Sequence, residues 1–110
     1  MARAADVRRI AMGLEGTTSA PHVDRTAFKV RRIYATLAAD GASMNVDLTP
    51  DEQAFKVMMA PEIFSQIPNG WGLRGATTVD LTKISVAELE AVLILAWEHG
   101  RAKEPIHKKR

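Results

Sequence analysis

The chain contains no cysteine in its 110 residues. That absence excludes disulfides, thiolate metal sites and cysteine nucleophiles, and it fits a reducing, cytoplasmic setting. No apolar run comes near the roughly 20 residues that a membrane-spanning helix needs. Charged residues make up 25% of the chain, and no low-complexity tract occurs. A globally disordered chain is therefore excluded. Aromatics are scarce, at 5%. That weakens any reading of the chain as a stacking platform for single strands, which use several sheet aromatics in a positive groove. What is present is 46% hydrophobic residues, enough for one domain with one core.

A strong excess of one charge sign is also lacking. The net charge is +2 over the whole chain, and RAKEPIHKKR at 101–110 alone carries five Lys/Arg against one Glu, so residues 1–100 sum to −2. The basic character is read as a flexible, solvated tail at 101–110, following a domain at 1–100. The start, MARAADVRRIAMGL, imitates a transit peptide in composition. Its Asp6 and its helical period favour a first structural helix instead.

Val7, Ile10, Ala11 and Leu14 recur at helical spacing, which predicts a helix over 4–14 ended by Glu15-Gly16. Thr17 to Asp24 reads as a loop. The period then changes to two. Phe28 and Val30, then Ile33, Ala35 and Leu37, then Met44, Val46 and Leu48 predict three half-buried strands. The first hairpin turns near Arg31-Arg32, which places both guanidiniums at a tip. The second turns at Asp40-Gly41. The opposite, solvated face would carry Lys29, Tyr34, Thr36, Ser43, Asn45, Asp47, Thr78 and Asp80.

Thr49-Pro50-Asp51-Glu52 is a capping box with proline in the first turn, opening a helix that Pro61 stops after about Met59. Residues 62–68 suggest a short turn and an edge strand. Asn69 to Gly75 reads as a glycine-rich loop. Thr77, Val79 and Leu81 predict a last strand. Ser85 and Glu88 form a second capping box before a helix over about 86–100, with Ile94 and Leu95 off its main apolar face, for neighbouring helices or another chain to cover. The order predicts one α+β domain, an antiparallel sheet covered on one face by the N- and C-terminal helices.

Chemistry-bearing motifs are sparse. GWGLRG at 70–75 matches G-x-G-x-x-G letter for letter but precedes a strand, whereas a dinucleotide site needs it to follow a strand and open a helix. His22 and Asp24 lie two apart, while His99 and His107 stand at the far end of the chain, so no metal-ligand spacing arises. No catalytic residue, metal ligand or cofactor motif is assigned. Arg25, Lys29, Arg31 and Arg32 are dense enough to meet phosphates at one edge.

The blocks APHVDRTAFKV, RRIYATL, LTPDEQ, NGWGLRGATTVDL and SVAELEAVLILAWEH, in that order, resemble the MmcQ/YjbR family over about residues 3–100. The resemblance implies a CyaY-like α+β domain. It also implies DNA binding, since family members are commonly labelled so on a proposed double-wing arrangement of hairpins; their biochemical role is mostly uncharacterised. The wing reading points to Arg25, Lys29, Arg31 and Arg32, joined by Arg74 and Trp71 of the Trp-Gly block. The CyaY-like fold is also similar to frataxins, which bind iron through acidic residues of the first helix and the adjoining strand edge. Here that helix carries Arg3, Arg8 and Arg9 against Asp6, which disfavours iron.

Three expectations follow, in order. The first is a domain that contacts double-stranded DNA through the first hairpin. The second is a non-enzymatic small-ligand or protein-binding module using His22, Asp24 and Trp71. The third is an enzyme, placed last because no nucleophile, base and orienting group stand together.

Overall fold

Alternation of period two builds most of a six-stranded sheet. In the computed structural model, which describes residues 1–102, the elements run α1 (Ala4–Gly13), β1 (Thr18–His22), β2 (Arg25–Lys29), β3 (Ile33–Ala38), β4 (Ser43–Asp47), α2 (Pro50–Met59), β5 (Phe64–Gln66), α3 (Gly70–Leu73), β6 (Ala76–Asp80) and α4 (Val86–Arg101). The strand order is β1-β2-β3-β4-β6-β5, and every pairing is antiparallel. The α+β architecture predicted from the periods is thus the one observed.

Residues paired directly across strands point to the same face. Phe28, Ala35, Val46 and Thr77 form one such row, and Leu37, Met44, Val79 and Phe64 another. Both rows are buried and join one core with Val7, Ile10 and Ala11 of α1 and Leu89, Val92, Leu93 and Ala96 of α4. Ile94 is exposed and Leu95 is partly buried against this core. The opposite face carries the row Ala20, Ala27, Thr36, Asn45, Thr78 and Ser65.

Four local expectations need correction. The segment read as a loop from Thr17 to Asp24 contains β1, an edge strand paired with β2 through a turn at Val23 and Asp24. All five of its residues are exposed, so it shows no apolar alternation, and Pro21 is tolerated because an edge strand can spare its N–H. Arg31-Arg32 therefore turn the second hairpin of the chain, β2–β3.

Tyr34 was expected on the solvated face. It is buried, because the register shifts between Phe28 and Lys29 and Tyr34 stands as the extra residue between Ile33 and Ala35. The bulge turns its side chain into the core, where Thr17 Oγ1 lies 2.9 Å from the hydroxyl. Ile33 is displaced outward and is 37% exposed. The glycine-rich loop at 69–75 holds the single helical turn α3, capped by Asn69 Oδ1, which accepts from the N–H groups of Trp71 and Gly72. Finally, α1 ends one residue early, with Leu14 as its C-cap, and Gly16 takes its positive φ in the turn that follows.

The predicted capping box at Thr49 and Glu52 is present in both directions, at 2.8 and 3.1 Å. At Ser85 the hydroxyl accepts from the Glu88 N–H, while the Glu88 carboxylate meets that hydroxyl rather than the backbone. Residues 103–110, most of the predicted basic tail, lie outside the described residues; Arg101 belongs to α4.

Candidate ligand site on the open sheet face

The helices cover one face of the sheet, and the other face is hollowed. Open-face residues of β3, β4 and β6 form the floor of a concavity of about 390 Å³, within the size range of small-ligand sites. Thr36, Asn45, Asp47 and Ala76 are on that floor, with Ile33, Ile67, Asn69 and Trp71 on the walls and His22 reaching it from β1.

The floor is ordered by hydrogen bonds. Thr78 donates its hydroxyl to Asn45 Oδ1 at 2.8 Å. That occupies the amide oxygen and leaves the Asn45 amide nitrogen as the donor. Arg25 Nε donates to Thr36 Oγ1 at 2.8 Å, and a second Arg25 nitrogen donates to the Thr36 carbonyl at 3.1 Å. Thr36 thus accepts from one side and retains its own O–H to donate. Asp47 supplies the floor's carboxylate, and it and Trp71 each have a partner of their own.

The wall is built by α3. Trp71 is 59% exposed, and the Arg74 guanidinium lies 5.5 Å from its ring centroid, within cation–π range. The turn is seated from behind by Gln53 of α2, only 5% exposed. Its amide nitrogen donates to the carbonyls of Gly72 and Ala76 and to Thr77 Oγ1, at 3.0, 2.9 and 3.3 Å. A Cβ on Gly72 would overlap the carbonyl of Ile67, and Gly75 has φ +115 against the Leu48 carbonyl. Gly72 therefore serves close backbone approach and Gly75 a left-handed turn, the tight-loop role expected beside Trp71, while a Cβ on Gly70 would meet nothing.

The hairpin cations are dispersed. Arg25 is bound to Thr36. At the β2–β3 turn, the Arg32 N–H donates to the Gly100 carbonyl at 3.0 Å and its guanidinium to the His99 carbonyl at 3.3 Å. Arg32 therefore sits at the C-terminus of α4, where a cation is favoured. Lys29, Arg31 and Arg74 are exposed. Of the proposed ligand residues, His22 and Trp71 share the concavity. Asp24 is exposed in the β1–β2 turn and is not part of it.

The floor residues Thr36, Asn45 and Asp47 were readable as one face, but read as an ordinary wet one. Their place in a site depends on α3 folding back over them, which no strand period reveals. Asn69 ahead of a Trp-Gly turn is the one local signal, as a helix N-cap.

Away from this face, His99 Nε2 lies 2.7 Å from Glu52 Oε1 and joins α4 to α2. Partial burial pushes the Glu52 carboxyl up, but hydrogen bonds from the Thr49 N–H and from His99 hold it below its ordinary value. Among the described residues, no three His, Asp or Glu side chains gather as a metal site, and no helix is long and apolar enough to cross a membrane.

No family model and no curated protein matches the chain. Among solved structures, it is similar to a crystal structure of the Deinococcus radiodurans protein DR2400, which has a DUF419 domain. The TM-score is 0.75 at 18% identity, over 88% of this chain and 77% of that one. At that identity the likeness shows the fold alone, one α+β domain with a six-stranded antiparallel sheet and four helices.

Proposed function

We propose that this protein is a non-enzymatic binding module whose ligand site is the concavity of the open sheet face. The observation that carries the reading is Trp71, a large apolar ring held exposed beside a hollow floored by ordered polar groups. An exposed aromatic next to convergent donors and a carboxylate is the usual composition of a small-ligand site. Gln53 and the backbone contacts of Gly72 and Gly75 hold that wall in place before any ligand arrives, and preorganisation of this kind lowers the cost of binding.

Screening a metabolite panel by thermal shift tests this. A binding compound should raise the melting temperature of the wild-type protein and not that of Trp71→Ala, whose exposed position predicts a stability within about 0.5 kcal/mol of wild type. Equal shifts in both proteins would remove Trp71, and with it the site, from the proposal.

A second reading has its own support. Lys29 and Arg31 are exposed on or beside the β2–β3 turn, and the resemblance to the MmcQ/YjbR family, which the fold shared with a DUF419 protein fits, assigns hairpin cations to duplex DNA. The phosphate contact would rest on Lys29, Arg31 and Arg74, since Arg25 and Arg32 are committed to Thr36 and to α4.

A further inference from the structure

The outer surface of the helical layer carries two rows of opposite charge. Helix α1 presents Arg8, Arg9 and Met12 to solvent, and α4 presents Glu90, Ala91 and Ile94. The two helices run side by side in the same direction. The Ala2 N–H donates to the Leu81 carbonyl, just ahead of α4, at 2.9 Å. The Trp97 indole N–H donates to the Glu15 carbonyl, just past α1, at 3.0 Å. At a rise of about 1.5 Å per residue, Arg8 and Arg9 then stand level with Glu90 and Ala91, and Met12 stands level with Ile94. Arg9 reaches Asp6 of its own helix at 3.2 Å. Among the described residues, neither Arg8 nor Glu90 forms an ion pair. Apolar surface accompanies the charges, since Met12 is 49% and Ile94 40% exposed.

We propose that this surface binds a second copy of the chain, in a two-fold dimer with α1 of each protomer on α4 of the other. A two-fold axis lying parallel to the helices and between them exchanges the rows. It sets the basic row of one protomer on the acidic row of its partner, twice over and at the same height. Arg8 and Arg9 then face Glu90 of the partner subunit, and Met12 faces Ile94 of the partner subunit. Charge complementarity selects a second copy as the occupant. It also selects the axis. A two-fold axis across the helices would lay α1 on α1 and α4 on α4, arginine against arginine and glutamate against glutamate, which is strongly disfavoured. The concavity lies on the opposite face of the sheet, so the two surfaces stand or fall separately.

Sedimentation equilibrium of the full-length protein, from about 1 µM to about 1 mM, reads the dimer directly. The wild type should pass from monomer to dimer within that range, and added salt should weaken the dimer. Arg8→Glu and Glu90→Arg, each at an exposed position, should each weaken it at least tenfold. An equimolar mixture of those two variants should restore the dimer, because each acidic row again meets a basic one. Ile94→Ser leaves the charges in place and should weaken the dimer without rescue by mixing. Thermal melts establish that each variant folds, and the wild-type measurement needs none of them.

A wild type that stays monomeric throughout overturns the proposal. So does a dimer that both charge variants leave intact. The exposed apolar group on α2, Phe55, Met58 and Met59, is the competing surface. A dimer lost in Met58→Ser but kept in Ile94→Ser would move the interface there and overturn the assignment to α1 and α4. A mixture no tighter than its separate components overturns the pairing of the rows.

Discussion

Gln53 is the residue on which the architecture of the site turns. Its amide nitrogen is buried, and it is shared among the Gly72 carbonyl, the Ala76 carbonyl and the Thr77 hydroxyl. It ties α2 to the start of β6 and to α3 at once. Gln53→Ala would remove the donor that three groups share, although the Gly72 and Ala76 carbonyls still accept from the N–H groups of Gly75 and Ile67 and the Thr77 hydroxyl still donates to the Gly75 carbonyl. A net hydrogen bond is worth about 0.5–1.5 kcal/mol, so with the lost packing of a buried side chain a total loss of about 1–3 kcal/mol is expected in urea unfolding. Because α3 carries Trp71, the same variant should also shift the Trp71 indole signal before unfolding. A loss below 0.5 kcal/mol with an unmoved indole would show that α3 is held by its glycine contacts alone. Nothing in the sequence marks Gln53. It lies one position beyond the readable capping box of Thr49 and Glu52, on a helix whose exposed residues include Phe55, Met58 and Met59, so polarity there is a poor guide to burial. Tyr34 failed to be legible for a related reason. Strict alternation assigns it to solvent, and only a bulge, a property of the pairing rather than of either strand, reverses it.

At the scale of elements, legibility followed periodicity. The strands β3, β4 and β6 and the helices α1, α2 and α4 each carry an apolar period or a cap that can be read locally. By contrast, β1 is exposed at every position and exists because β2 offers it an edge, which is non-local information. The join of α2 to α4 is equally non-local, since Glu52 and His99 are 47 residues apart. That join carries a pH dependence whose sign is fixed. The folded-state pKa of Glu52 lies below its ordinary 4.5. Its contribution to stability is therefore fully present above that value and is lost as the pH falls from there through the lowered folded value. Urea unfolding at a series of pH values should show a stability loss confined to that acid window, and Glu52→Gln should flatten the curve within it. An unchanged acid limb in the variant would mean that other carboxylates dominate. Asp6 and Asp80, both held low by local hydrogen bonds and both partly exposed, would then be the groups to examine.

At the scale of the whole molecule, the fold divides its labour by face. One face of the sheet, covered by helices, holds the core. The other is open, with polar rows and a tryptophan set beside them by α3. The described domain lacks the net positive balance of a duplex binder, because residues 1–100 sum to −2, and two of the four hairpin arginines and lysines are spent on internal hydrogen bonds. This bounds the duplex reading quantitatively. Each phosphate neutralised contributes about −0.9 to the slope of log affinity against log salt. With Lys29, Arg31 and Arg74 as the contacting cations, the slope can be no steeper than about −3. Fluorescence anisotropy of a labelled duplex between 50 and 200 mM salt should therefore show weak binding with a shallow slope, and Lys29→Ala combined with Arg31→Ala should flatten it by about 2. A steep slope that survives the double substitution would locate the contact elsewhere, and the four Lys/Arg of 103–110 would be tested next by truncation after Ala102. A shallow slope abolished by the substitutions would place duplex phosphates at the hairpin and leave the concavity to be tested as a separate small-ligand site.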